Sequence, residues 1–340
     1  MLSEKLIVIR KLSLDEATAW YSTMPQDQHV ATLMPAYVMA DAQRDTELKP
    51  LFIGYEEEGS YWLHSVHRSP IPNSDLFDQQ SPYGYGGPIC NSTSQSFISK
   101  AWSAYVDFCK SERVLAEFVR LHPLVDYSQS YLGTTSYNRD TVLVALDIAD
   151  IGANYTTRCR TAIRKAVKNG IVSRVIEKSR ISSRFMDFYF AGMQAIGASD
   201  FYFFNRDYFD AFSHWDNVEL IACTLNDDWL SAGLFLIDGD TMEYHLSATT
   251  LHGRSLGATN LLLDFAAKVA KEKGCKYLYL GGGTDSDKNN SLLFFKKGFS
   301  TLSKPFLTGF TTFMPLLYEE LRAEYLARGI YNGRSLFYRV

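Results

Sequence analysis

At 340 residues, with 46% hydrophobic and 21% charged side chains, the chain has the composition of an ordinary soluble globular protein and the length for two cores rather than one. Its 34 basic and 38 acidic residues leave a net charge of −4, which excludes a global basic field for nucleic acid but not a local basic groove. The five cysteines (Cys90, Cys109, Cys159, Cys223, Cys275) are odd in number, dispersed and free of any Cys-x-x-Cys pair, which argues against a disulfide framework and a zinc site.

The N-terminal MLSEKLIVIRKLSLDEATAW turns charged after a short apolar run, unlike a signal peptide. No stretch reaches the roughly 18 apolar residues of a membrane span, so a cytoplasmic location is expected. KLIVIR (5–10) reads as a strand. SLDEATAWYSTM (13–24) reads as a helix, with Ser13 and Glu16 in capping-box spacing. PLFIGYEEEGSYWLHSVH (50–67) reads as two strands around a Glu-Gly-Ser turn, and SPYGYGGPI (81–89) as loop. A mostly helical pattern covers 94–121, and TVLVALDI (141–148) is a strong strand. TTRCRTAIRKAVKNG (156–170) is a basic helix with Gly170 just past its end, and a further helix is expected over 182–197. VELIACTLN, WLSAGLFLID and TMEYHLSAT (218–249), joined by Asn-Asp-Asp and Asp-Gly-Asp, predict an antiparallel meander. TNLLLDFAAKVAKEKG (259–274) is a patterned helix ending at Gly274, followed by the strand KYLYLGGG (276–283).

The segment 241–283 carries the most chemistry. HGRSLGATN (252–260) reads as a loop feeding a helix N-terminus, where free backbone N–H groups can hold an anion; the plainer reading is a Gly-containing connection. In LGGG (280–283), consecutive glycines permit positive φ and close approach to a ligand, or simply a flexible turn. SPYGYGGP (81–88) offers the rings and hydroxyls of Tyr83 and Tyr85 between glycines, as the wall of a cleft or as a structural corner. Arg158, Arg160, Arg164, Lys165 and Lys168 form a helical stripe suited to phosphates, or a solvated face. His64 and His67, three apart in a strand pattern, point to opposite faces and are discounted as a metal pair. Asp285 and Asp287 are a proton relay or a turn. In LLFFKKGF (292–299), either both lysine stems pack on apolar surface with heads in water, or one ammonium is held at a site. There is no G-x-S-x-G, no Walker A and no complete G-x-G-x-x-G.

Taken in order, SPYGYGGP, FVRLHPL (118–124), RCRTAIRKAVKNG, YHLSAT…GATNLLL and YLYLGGG…SLLFFKKGF resemble the FemABX-like transferases over most of the chain. The resemblance implies an α/β fold of α+β mixed sheets: two tandem GCN-related N-acetyltransferase (GNAT) domains with an interdomain cleft. The best-known members add amino acids from aminoacyl-tRNA to peptidoglycan precursors, and others serve polysaccharide and cell wall biogenesis. The family's F-K-x-G-F element maps onto Phe295, Lys296, Gly298 and Phe299, which makes Lys296 rather than Lys297 the site lysine, with aromatics excluding water around its head. The groove tyrosine of the family maps onto Tyr244. HGRSLGATN resembles the GNAT pyrophosphate loop Q/R-x-x-G-x-G/A through Arg254 and Gly257, but Thr259 stands where the last small residue belongs. The long charged helical hairpin of tRNA-using glycyltransferases is absent, as it is from smaller members.

The expected organisation is an N-terminal GNAT-like domain over 1–150 on the acceptor side and a second over 151–310 on the acyl-donor side. A helix and strand over 311–340 are expected to cross back to the first domain. The expected reaction is acyl or aminoacyl transfer to the amine of a cell-envelope or polysaccharide precursor, by direct attack on a thioester or aminoacyl ester. Lys296 and Tyr244 are the candidate catalytic residues. Tyr83, Tyr85, Arg158, Arg164 and Tyr202 are assigned to substrate, and Arg254, Gly257, Gly281, Gly282 and Gly283 to the co-substrate. That co-substrate is acyl-coenzyme A or aminoacyl-tRNA, with no tightly bound cofactor and no metal. Net negative charge favours the coenzyme A form. The acceptor is a small molecule, nucleotide sugar or peptide; charged tRNA is the alternative partner, and DNA is not expected. Two other readings stand beside this one: an aminoacyl-tRNA-dependent peptidoglycan-bridge enzyme, and a non-catalytic ligand-binding protein on a decayed acyltransferase fold, motivated by Thr259.

Overall fold

The computed structural model describes residues 9–287 and 289–339. In chain order its elements are β1 (Arg10–Leu12), α1 (Leu14–Tyr21), α2 (Pro35–Ala42), β2 (Lys49–Glu57), β3 (Ser60–Pro70), β4 (Phe77–Gln80), β5 (Ile89–Cys90), α3 (Gln95–Ser111), β6 (Val114–Leu121), β7 (Thr134–Ala145), α4 (Thr157–Lys168) and β8 (Val172–Ile176). There follow α5 (Met186–Ala195), α6 (Arg206–Ser213), β9 (Val218–Leu225), β10 (Asp228–Asp238), β11 (Thr241–Thr249), α7 (Leu251–Leu256), α8 (Ala258–Glu272), β12 (Tyr277–Gly282), α9 (Ser291–Lys297), β13 (Ser303–Thr312) and α10 (Pro315–Ala327). Most of the strand expected over 5–10 lies outside the described residues.

The chain forms two compact units. One holds the described residues up to Gln28, Thr32–Asn138 and those from Phe306 on; the other holds His29–Ala31 and Arg139–Pro305. The divisions fall inside β7 and β13.

In the first unit the strands run in the order β1-β2-β3-β4-β6-β13, with β5 beside β3. The Ser13 hydroxyl and Glu16 carboxylate close the capping box that starts α1. The apolar stripe of α3 (Phe97, Ile98, Ala101, Tyr105) packs on Ile53, Trp62, Val66 and Val114 of the sheet. A second core gathers α10 and the C-terminal segment on Leu76, Leu115 and Ala116. That segment is not the strand expected over 331–340: its described residues hold none. Gly333 at φ 76° turns the chain at an Asn-Gly pair, and the Arg339 guanidinium then grips buried Asp78 through two bonds of 2.8 and 2.7 Å.

In the second unit the order is β7-β12-β11-β10-β9-β8. The expected meander is present as β9-β10-β11; Asn226 and Asp227 adopt positive φ at one turn and Gly239 at the other. From β11 the chain passes through α7 and α8 and returns as β12, parallel to β11. The apolar face of α8 and buried Cys159 and Ala166 of α4 cover one side of this sheet, with Val142, Ile221, Met242 and Leu278 beneath them. Helix α5 packs closely on β11, where a Cβ on Gly192 would meet that of Ala248 at 2.5 Å.

Candidate active site

The second unit has an opening in its sheet. The parallel ladder between β11 and β12 runs from Thr241↔Tyr277 to Glu243↔Tyr279, yet β11 continues to Thr249 and β12 to Gly282. Each strand is irregular where the ladder ends. His245 is an extra residue between Tyr244 and Leu246 in the pairing with β10, and Leu280 is extra in the pairing of β12 with β7. Bulges bend strands and raise local twist, which drives the two apart.

Lys296 reaches this opening from the last turn of α9. It is only 7% exposed, and its Nζ donates to the Gly282 carbonyl oxygen at 2.7 Å. The Nζ also lies 5.9 Å from the Tyr244 ring centroid, a cation–π distance. Burial, reinforced by the nearby Arg139 charge, pulls the lysine pKa down to about 7. Tyr244 bonds Ser247 through its hydroxyl, and burial pushes its pKa up, so it stays a neutral donor or acceptor. Lys297 differs: it is about half exposed and stands 3.9 Å from Asp140. The ring facing the lysine head is thus Tyr244. Phe295 and Phe299 pack with each other in the core, and Phe294 is 64% exposed under the Arg158 guanidinium.

The glycine run is structured. Gly281 has φ 73°, and a Cβ on Gly283 would meet Asn290 Oδ1 at 2.5 Å. Asn290 caps α9 by accepting from the Leu292 and Leu293 amides, and its Nδ2 donates to Thr284 at 2.6 Å. Arg139 Nη1 donates to the Gly283 carbonyl at 2.7 Å. Two successive carbonyls, Gly282 and Gly283, therefore each hold one basic side chain. Arg139, Asn290 and Ser247 went unmarked in the sequence, because 144 positions separate Arg139 from its partner and neither Asn nor Ser carries a motif there. Asp285 and Asp287 each accept a backbone N–H two residues on, which is turn geometry.

The segment around Arg254 and Gly257 corrects the expected loop. Residues 251–256 form α7, whose amides are used internally: Gly253 N–H and Arg254 N–H go to Thr250, and Gly257 N–H to Arg254. Thr250 at the cap makes a helix the better-bonded path than an open cradle. Gly257 takes φ 83° to pivot into α8, and a Cβ there would meet the Ala162 carbonyl of α4 at 2.5 Å. Arg254 is exposed, and Thr259 bonds Thr249 at 2.9 Å. On α4, Arg164 reaches Thr161, Arg160 reaches backbone carbonyls and Thr157, and Lys165 reaches Ser255 O. Among the described residues none of Arg158, Arg160, Arg164, Lys165 and Lys168 pairs with a carboxylate. Tyr202 sits in a short turn beside Phe201, both well exposed.

Tyr83 and Tyr85 belong to the first unit, in a loop that fills the corresponding place between its parallel strands. There β4 pairs with β6 up to Gln80↔Phe118. The loop then continues the pairing through Ser81 N–H to Phe118 O, Gly86 N–H to Arg120 O at 2.7 Å, and a Gly86–Leu121 bridge. The Tyr83 peptide is held on both sides, by buried Asp41 on its N–H at 2.8 Å and by the Tyr37 hydroxyl on its carbonyl at 2.6 Å. Tyr85 packs edge-on against His122 and Phe306. His64 and His67 take separate partners, Glu117 and the Val38 carbonyl.

Residues 153–289, which contain this opening, match the acetyltransferase (GNAT) domain family. A solved FemX is 14% identical over 92% of this chain and 99% of its own, with TM-score 0.71. The chain has a FemX-like tandem GNAT fold. The C-terminal domain of a putative lysylphosphatidylglycerol synthetase from Agrobacterium fabrum is 11% identical over 92% and 97% of the two chains, with TM-score 0.60. A tandem GNAT protein from the clavulanic acid biosynthesis pathway is 7% identical over 90% and 98%, with TM-score 0.51. No curated protein matches the chain in sequence. With an acetyltransferase domain matched across the opening, the FemX-like chain is an acyltransferase. None of the helices in its described residues is long and apolar enough to cross a membrane.

Proposed function

We propose that the chain transfers an acyl or aminoacyl group to the primary amine of a cell-envelope or polysaccharide precursor, at the opening between β11 and β12. The observation that carries this reading is Lys296: a buried amine, bonded to Gly282 O at the end of the diverging strand and facing Tyr244. A group so placed meets the negative charge that develops when an amine attacks an acyl carbon. The bond that forms is C–N; the bond that breaks is the acyl–sulfur or acyl–oxygen bond of the donor. Tyr244 and the Gly281–Gly283 backbone line the same place. No enzyme nucleophile is needed. Tyr83 and Tyr85, in their pinned loop, are assigned to the acceptor.

For the donor, an aminoacyl ester of tRNA is preferred to a coenzyme A thioester. This reverses the preference drawn from net charge, for two reasons. Helix α7 replaces the open loop, with the amides of Gly253, Arg254 and Gly257 bonded inside it, and α4 presents five cations that pair with no carboxylate among the described residues. Names among the fold neighbours, FemX and a lysylphosphatidylglycerol synthetase, agree with aminoacyl chemistry. The test is a screen of the purified chain against acetyl-coenzyme A, longer acyl-coenzymes A and charged tRNA. Salt-sensitive binding of charged tRNA is expected; saturable binding of a coenzyme A thioester alone would return the donor to that class.

A further inference from the structure

We infer that His245 is the proton acceptor that frees the attacking amine, and that Tyr208 positions it. This rests on the acyl-transfer reading above and adds a residue to it. His245 is the extra residue of the β11 bulge, at the level where the β11–β12 ladder has just ended. A bulge re-aims one side chain, and bulges are over-represented beside active sites.

The two neighbours on the strand go to different surroundings. Tyr244 packs with the core under α8 and faces Lys296. His245 is received by α6, where its Nε2 lies 2.7 Å from the Tyr208 hydroxyl and its ring lies 5.6 Å from that of Phe212. Tyr208 and Phe212 are both fully buried, whereas His245 is half-buried and reaches the surface. One end of the imidazole is therefore anchored in an aromatic pocket. On its own strand the nearest carboxylate is Glu243, two residues upstream and buried.

A histidine in an aromatic pocket is often only a packing residue. Two features separate this one. It occupies the extra position in the pairing with β10, and its backbone stands one residue past Tyr244, beyond the last β11–β12 pair. Where Lys296 serves as the cation that stabilises the oxyanion, the proton of the ammonium goes to another group. Histidine is the side chain whose ordinary charge change falls in the neutral range. In the step itself, R–NH3+ gives one proton to His245. The freed amine forms the C–N bond, and the tetrahedral intermediate expels the thiolate or the ribose alkoxide. The second amine proton leaves with that collapse and neutralises the leaving group.

The experiment measures kcat/KM of the full chain from about pH 5.5 to 9.5, with alanyl-tRNA and acetyl-coenzyme A in parallel arms and a panel of primary amines as acceptors. Wild type, His245→Gln and Tyr208→Phe are compared at temperatures well below each melting point. Wild type is expected to lose rate toward the acid end of the range. His245→Gln is expected to lose roughly 100-fold at neutral pH, with the deficit shrinking as pH rises and more amine is free. Tyr208→Phe should displace the acidic limb while keeping most of the plateau rate. A His245→Gln variant with the wild-type profile, or with an equal loss at every pH, overturns the assignment while leaving acyl transfer standing. Absence of turnover in wild type with both donors overturns the acyl-transfer reading, and the assignment with it.

Discussion

Lys296 Nζ lies 2.7 Å from the Gly282 carbonyl oxygen, which ties the last turn of α9 to the end of β12 inside the sheet opening. A lysine used for solubility would point away, as Lys297 does. The contact leaves an amine at a water-poor place, bonded to the Gly282 carbonyl and beside the Tyr244 ring. Such a group is costly to keep charged unless a ligand supplies the counter-charge.

Stability should record that cost. The Lys296 pKa of about 7 lies below its ordinary 10.5, so across that window the unfolded chain holds a proton that the folded chain does not. Stability then rises with pH through the window, by up to about 1.4 kcal/mol per pH unit. Lys296→Met lacks the slope. Its denaturation free energy should exceed wild type most near and below neutrality and least near pH 10; parallel curves for the two proteins would contradict a buried, shifted lysine.

Gly257 is read as a packing pivot rather than a phosphate cradle. Gly257→Ala places a Cβ at positive φ and against the Ala162 carbonyl. The expected loss is about 1–3 kcal/mol, measured by denaturant or thermal unfolding with no ligand added. Unchanged stability would remove the packing role and reopen the loop as a ligand cradle.

Asp41 is expected to act on the acceptor through Tyr83. Asp41→Asn keeps the size of the side chain but weakens its hold on the Tyr83 N–H and on Arg44. The acceptor KM should rise roughly 5- to 10-fold, equivalent to about 1–1.4 kcal/mol, with kcat little changed. An unaltered KM would detach the loop from acceptor binding.

The cations of α4 should be felt in salt dependence. If Arg158 and Arg164 contact tRNA phosphates, each alanine substitution weakens charged-tRNA binding and lowers the slope of log K against log salt by about 1. An unchanged slope would return the stripe to a solvated face.

Much of the fold could be read from local chemistry. The Ser13–Glu16 capping box, the β9-β10-β11 meander, Gly170 after α4 and Gly274 after α8 each rest on a few neighbouring residues, and each is found. Lys296, Tyr244 and the glycines, drawn from the family resemblance, converge at one opening. What was illegible depended on distance or competition. Arg139 meets Gly283 only because β7 lies beside β12. The bulge at His245 depends on pairing with β10, which no local pattern encodes. A glycine-bearing stretch became α7 because Thr250 could cap it, and the C-terminal segment bonded Asp78 through Arg339 instead of extending as a strand.

The most direct test compares turnover of Lys296→Met and Lys297→Met in the donor and acceptor pair that supports wild-type activity. Methionine keeps the length and apolar character of the stem, so both variants should fold. Lys296→Met is expected to lose roughly 100- to 1000-fold in kcat, about 3–4 kcal/mol of barrier, while Lys297→Met stays near wild type. Equal activity in the two variants would contradict the account and leave Lys296 a packing residue at the end of α9.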